Sequence, residues 1–456
     1  MTTHFAAYLD DQDLIRMEGG ESVTASLPFT LTSGSKTIEL LPTEEEKTLR
    51  SPLPIDMSQS YTLSNAKGET CLLHYRDIVR QPIFDQLYAY DGEDLGAHYS
   101  KEKTTFAFWA PISQEVELLI NQTAYPMERT EKGVWRLELE GDWEKASYYY
   151  QHQVNGVTHI VHDPYALSSE VNSGASYVID RHKIERPIQR ATTQLDPTEA
   201  IIYELSVRDF SMQKEAGFHH PGTFPALLES PKHGEQTFGF DYLKSLGITH
   251  IQLLPLYDFG SVDETNPTSG YNWGYDPVQY NVPEGSFSTQ ANDPYQRILE
   301  LQQVIDAYHK ADLSLIMDVV YNHVYLSDEF AFERIVPGYF YRYDQDRQRT
   351  NGTFCGNDVA SERAMVRNYI KQSVKQWVQL YGFDGFRFDL MGILDRQTMM
   401  EIQEELVAIY PNIYLYGEGW KMDTGLDPEL LAHQYNASQL RPYGFFSDNF
   451  RDTIKR

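Results

Sequence analysis

"LSLIMDVVYNH", residues 313–323, runs apolar on almost every position before it ends in Asn322 and His323. A strand with one wet face alternates apolar and polar side chains, and this one does not. Both of its faces are therefore expected to be covered, as in a parallel sheet packed under helices. "AIIYELSV" (200–207), "ITHIQLLPL" (248–256), "FDGFRFDL" (383–390) and "NIYLYGEG" (412–419) have the same character, and "RPYGFFSD" (441–448) is a weaker sixth run. Amphipathic helices are expected between them. "NDPYQRILELQQVIDAYHKA" (292–311) opens on Asn-Asp-Pro, "SERAMVRNYIKQSVKQWVQLYG" (361–382) on a serine cap, and "DRQTMMEIQEELVAIYP" (395–411) on Asp395. No glycine-rich loop follows the first strand, so phosphate and dinucleotide binding have no support.

The polar residues sit where these strands stop. Asp318, Asn322 and His323 close one run, Arg387 and Asp389 another, Glu418 and Trp420 a third. In parallel βα folds the C-terminal strand ends form the active face. Arg387 and Asp389 are two residues apart, hence on one side of their strand, with Phe386 and Phe388 on the other. Glu418 ends the next strand and can face Asp389. Two carboxylates in unlike environments suit glycoside hydrolysis, one as nucleophile and one as acid, then base. Taken singly, each residue has a plainer reading. A strand-end Asp caps a helix, Arg387–Asp389 is a structural ion pair, His323 is a buried core histidine, and Cys355 is a small apolar filler. Their recurrence at the same end of successive strands favours chemistry.

The stretch "SGYNWGYDP" (269–277) follows the second of these strands and so lies over the same mouth. Its rings suit stacking on sugar faces, and its glycines allow close backbone turns. The plainer reading is a hydrophobic plug for a long loop.

Upstream, residues 1–85 carry short apolar runs such as "SVTASLPFTLTSG" (22–34) and "CLLHYRDIV" (71–79), which read as a small β domain of unassigned role. Residues 86–180 hold strand-length runs at sandwich spacing, "TTFAFWAP" and "ASYYYQHQVNG" among them. Their strands should pair among themselves and fold independently, with Trp109 and Trp135 in their core. Residues 182–198 read as a polar linker to a catalytic unit at 199–456. The 38 basic against 66 acidic residues give a net charge of −28, which disfavours nucleic acid and anionic membranes as partners. Two cysteines make neither a disulfide framework nor a metal cluster, and the N-terminus lacks a secretory pattern, so a cytoplasmic protein is expected.

"DVVYNH", "GFRFDLMG" and "YGEGW" resemble the first three conserved regions of the α-amylase superfamily, glycoside hydrolase family 13. "YNWGYDP" resembles the signature of its type I pullulanases, which cleave α-1,6 bonds in branched α-glucans. "YDGEDLGAHY" and "TTFAFWAP" resemble the start of a family 48 carbohydrate-binding module. The resemblance implies a (β/α)8 TIM barrel, with Asp389 as nucleophile and Glu418 as general acid/base. Arg387 and His323 would hold the glucose at the cleavage subsite and Tyr275 would stack beneath it. Asn322, Trp273, Asp276 and Trp420 would contact substrate. No cofactor is required, and calcium is an open possibility. The family's fourth region, a His-Asp pair, has no counterpart after Glu418, and the chain ends after about six strands. An incomplete barrel of low activity by itself is the expectation. Isoamylase, branching transferase, neopullulanase and a non-catalytic glucan binder are the alternatives.

Overall fold

The structure, a computed structural model, describes residues 5–19, 26–193 and 195–455. Residues 22–25 of the first upstream run and Gln194 of the expected linker lie outside the described residues. The expected parallel sheet is present, with strands Ile202–Leu205, His250–Leu253, Ser314–Val319, Gly385–Phe388, Tyr414–Gly417 and Gly444–Phe445 in consecutive order. Every pairing in it is parallel. All six residues of Ser314–Val319 are buried, as the unbroken apolar run requires. Helices Gly239–Ser245, Gln296–Lys310, Ala364–Gln376 and Arg396–Ile409 connect the strands. The register sets Asp318 beside Arg387 and Arg387 beside Tyr416, so polar side chains of three strands meet at one level.

Two helix starts differ from expectation. Gln296–Lys310 begins after Tyr295 with no side-chain cap, because Asp293 instead accepts a hydrogen bond from the Tyr295 N–H at 2.8 Å. Ser361 does not cap Ala364–Gln376, which follows Arg363. Its hydroxyl is taken by the Asp395 N–H at 2.8 Å, and this fixes the start of the next helix. Asp395 itself caps as expected, accepting from the Thr398 N–H at 3.0 Å. The helix at Ala364–Gln376 widens into a π-helical turn, Trp377–Tyr381, and stops at Gly382, whose φ of +94° suits a residue without Cβ.

Upstream, seven strands between Phe5 and Tyr75 close into a barrel, sealed by parallel pairing of Phe5–Leu9 with Thr70–Tyr75. A helix, Pro82–Tyr88, lies across the expected boundary at 85/86. Two antiparallel sheets then face each other between Gly96 and Tyr177, with Phe108 and Tyr150 stacked at 4.2 Å between them. Trp109 and Trp135 are both buried. Trp109, however, packs against Phe332 and Tyr339 of the catalytic unit, and Tyr165 against Tyr369. The stretch expected as a linker is held in place. Arg186 pairs with Asp306 at 2.7 Å, and Arg190 with the buried Asp384 at 2.8 Å. No helix among the described residues is long and apolar enough to cross a membrane.

Candidate active site

Arg387 is the hub. Its Nη1 donates to Asp389 Oδ1 at 2.8 Å and to Asp318 Oδ1 at 3.0 Å, while Nη2 lies 2.8 Å from Glu418 Oε1. One planar guanidinium thus holds three carboxylates from three adjacent strands. Asn322 covers the other oxygen of Asp389, donating to Oδ2 at 2.9 Å and to its carbonyl at 2.7 Å. Leu390 turns the chain left-handed (φ +38°) immediately after Asp389, and its N–H reaches Glu418 Oε2 at 3.2 Å. Gly392 donates to the Glu418 carbonyl at 3.0 Å, and a Cβ there would lie 1.9 Å from the Trp420 carbonyl. Only glycine allows that approach. The Glu418 carboxylate is therefore fixed by backbone as well as by a side chain, and that of Asp389 by two side chains.

The aromatic loop forms one wall. Tyr275 donates its hydroxyl to Asp318 Oδ2 at 2.6 Å, and its carbonyl lies 2.9 Å from His323 Nε2. His323 Nδ1 lies 2.5 Å from Asn322 Oδ1, and burial lowers the pKa of this imidazole. Trp273 stands 60% exposed with its indole N–H on the Tyr271 hydroxyl at 2.6 Å. Asp276 is occupied by Asn272 at 2.8 Å.

Asp318 is fully buried. Burial chiefly, and then the charge of Asp389, push its pKa up to about 8 against the pull of Arg387 and the Tyr275 hydroxyl. The folded value lies above the ordinary 3.8, so folding takes up a proton between the two. This contribution to stability is complete at low pH and lost as pH rises through about 8. Asp318→Asn carries no charge to bury. The parent's melting temperature should therefore fall relative to that of the variant as the pH is raised from about 5 to about 9. A difference that stays constant over this range would show that Arg387 keeps Asp318 ionised throughout.

Residues 94–166 match carbohydrate-binding module 48 (isoamylase N-terminal domain), and residues 237–349 match the alpha amylase catalytic domain. The pullulanase of Bacillus subtilis (strain 168) is 36% identical over 99% of this chain. The crystal structure of the pullulanase from Anoxybacillus sp. LM18-11 is 38% identical and superimposes with a TM-score of 0.93, covering 99% of this chain and 67% of that one. The chain belongs to the pullulanase family. It spans 65% of the length of the B. subtilis pullulanase. The complex of the Anoxybacillus pullulanase with maltotetraose is equally similar, at a TM-score of 0.93 and 38% identity over 98% of this chain and 66% of that one.

Within this pullulanase-family fold the sequence-derived residues fall into two groups. Asp389, Glu418, Arg387, His323, Tyr275 and Asn322 converge through the contacts above. Asn322 is 0% exposed, so it positions Asp389 and His323 instead of facing the mouth. Trp273 and Asp276 lie on the loop wall, and Trp420 lies 5.6 Å under the Arg451 guanidinium. Asp318 is legible in the sequence as a strand-end acid, but without a place in the site. Its signal was its position one strand over from Arg387, which only the register reveals. Cys355, expected as a filler, is exposed.

Among the described residues one acidic group is placed to hold a cation. The ligand atoms of Asp258, Glu264 and Glu284 lie within 4.8 Å of one another, all buried behind the aromatic loop. Asp258 Oδ1 and Glu264 Oε1 have no hydrogen-bond partner, and the all-oxygen donor set fits a hard cation such as calcium. Arg297 already neutralises part of this charge, 2.9 Å from Glu264.

Proposed function

We propose that the protein is a debranching glycoside hydrolase, cleaving α-1,6-glucosidic bonds in pullulan, limit dextrin and glycogen- or starch-like glucans with retention of configuration. The observation that carries this reading is the single Arg387 guanidinium to which Asp389 and Glu418 are both bound. Two carboxylates within the span of one side chain suit direct attack by one of them, whereas inversion needs a wider gap for water. Asp389 attacks the anomeric carbon while Glu418 donates a proton to the leaving glycosidic oxygen. A covalent glycosyl-enzyme forms, and Glu418 then takes a proton from the water that releases the sugar. Arg387 and Asn322 hold Asp389 in line, and Tyr275 offers its ring beneath the glucose being cleaved. His323 completes the cleavage subsite, with Trp273, Asp276 and Trp420 as outer contacts.

The maltotetraose bound by the Anoxybacillus relative supports an α-glucan as ligand. Two unpaired cysteines agree with a reducing, cytoplasmic setting. The test is incubation with pullulan, followed by analysis of released sugars. Maltotriose as product supports α-1,6 cleavage. Retention on insoluble amylopectin without any new reducing ends would instead favour a glucan-binding protein.

Tyr275→Ala should lower turnover by about tenfold to a hundredfold, while retention on insoluble glucan falls by less than about threefold. Unchanged turnover would remove Tyr275 from the cleavage subsite.

A further inference from the structure

Phe354 is 84% exposed and holds a left-handed backbone, φ +62°. Both features are unfavourable. A bulky side chain in this region crowds its own backbone, and an exposed ring forgoes burial. Among the described residues, Phe354 and Leu390 are the two apolar side chains at positive φ. Leu390 follows the nucleophile, where its conformation brings its N–H to Glu418.

The loop carrying Phe354 is rigidly tied to the same face. Asp358 accepts the Gly352 and Thr353 N–H groups at 2.8 and 2.9 Å, and the Thr424 hydroxyl at 2.7 Å. Asn357 exchanges two hydrogen bonds with Val324, the residue after His323, at 2.9 and 3.0 Å. The Val359 N–H donates to the Asn322 carbonyl at 2.9 Å. These bonds to Asn322 and Val324, on either side of His323, set the loop beside the mouth. Strain persists where surrounding structure over-determines it and a ligand makes use of it.

We infer that Phe354 is a substrate-contact residue, a stacking platform for an α-1,4-linked glucose unit next to the cleavage subsite. Together with Tyr275 on the aromatic loop, it clamps the glucan between two walls of the mouth. This rests on the reading of an α-glucan as substrate, and it adds a contact that sets chain-length preference. Glucose presents an apolar face of C–H groups to a ring and needs no charge from the protein. A phenyl group with no polar handle therefore suits it.

The test uses the whole protein, calorimetric titration with maltotetraose and thermal melting. Phe354→Gly releases the strain and removes the ring, so its melting temperature should rise by about 2–4 °C while affinity falls about three- to tenfold. Phe354→Asn tolerates the left-handed backbone and should lose affinity equally. Phe354→Tyr keeps the ring and should stay within about twofold of the parent. Affinities of the Gly and Asn variants within twofold of the parent overturn the inference, as does a parent that does not bind maltotetraose. A melting temperature that falls in Phe354→Gly also overturns it. Pullulan hydrolysis measured in parallel separates the two readings. Ring-dependent maltotetraose binding without α-1,6 cleavage leaves Phe354 in place and removes the debranching function. Cleavage with ring-independent binding removes only Phe354.

Discussion

Asp389→Asn should lower turnover of α-1,6 bonds by on the order of 10⁴-fold or more, because an amide cannot form the covalent glycosyl intermediate. The substitution is nearly isosteric, and its oxygen can still accept from Arg387 Nη1, now 2.8 Å from Asp389 Oδ1. Glucan affinity should therefore change by less than about threefold. Glu418→Gln removes the carboxyl proposed as proton donor and leaves Asp389, the proposed nucleophile. On natural glucans it should be nearly as damaging as Asp389→Asn. On an α-glucosyl substrate with an activated leaving group, which departs without protonation, the first step should recover by on the order of 10²-fold. The carboxylates are thus separated by their response to leaving-group ability. Equal losses for Glu418→Gln on both substrates would show that Glu418 is not the acid.

Arg387→Met should be the most destabilising single change in the catalytic unit, at about 3–5 kcal/mol by chemical denaturation. The reason is charge. Asp318 is fully buried, and Asp389 and Arg387 are 9% and 7% exposed. Removing the guanidinium leaves Asp389 and Glu418 without their counterion and the buried Asp318 without its donor, the costly way to break a buried ion cluster. Arg387→Lys restores the charge but not the planar fork that reaches Asp389, Asp318 and Glu418 together, so it should recover stability in part and turnover little. A loss below about 1 kcal/mol for the Met variant would mean that the acids are neutral without Arg387.

The parallel sheet was legible because covered strands must be apolar on both faces, and "LSLIMDVV" has no wet face. Arg387 and Asp389 were legible as partners because residues two apart share a side of a strand. What strand patterns do not carry is register. The placement of Asp318 beside Arg387 depends on pairing between residues 69 positions apart. Nor do strand patterns show that Asn322, three residues past its strand, turns inward onto Asp389. Caps were misread where a tertiary partner took the expected group. Ser361 looks like a helix start, but its hydroxyl anchors Asp395 in the following element. The linker was legible as a connection, but not its anchoring. Polar, proline-bearing composition describes residues 182–198 well enough, yet Arg186 and Arg190 find carboxylates on the catalytic unit. Phe354 gave no sequence signal, since exposure and a left-handed backbone are invisible in composition.

The seam between the sandwich and the catalytic unit is aromatic. Phe84, Trp109, Tyr339 and Phe332 form a continuous chain of ring contacts with centroids 5.3 to 6.2 Å apart. The strands of the sandwich do pair among themselves, but excision would leave Trp109 and Tyr165 facing water. The two parts therefore cannot behave as beads on a flexible string. Heat should melt them in one calorimetric transition, with no separate step for the sandwich.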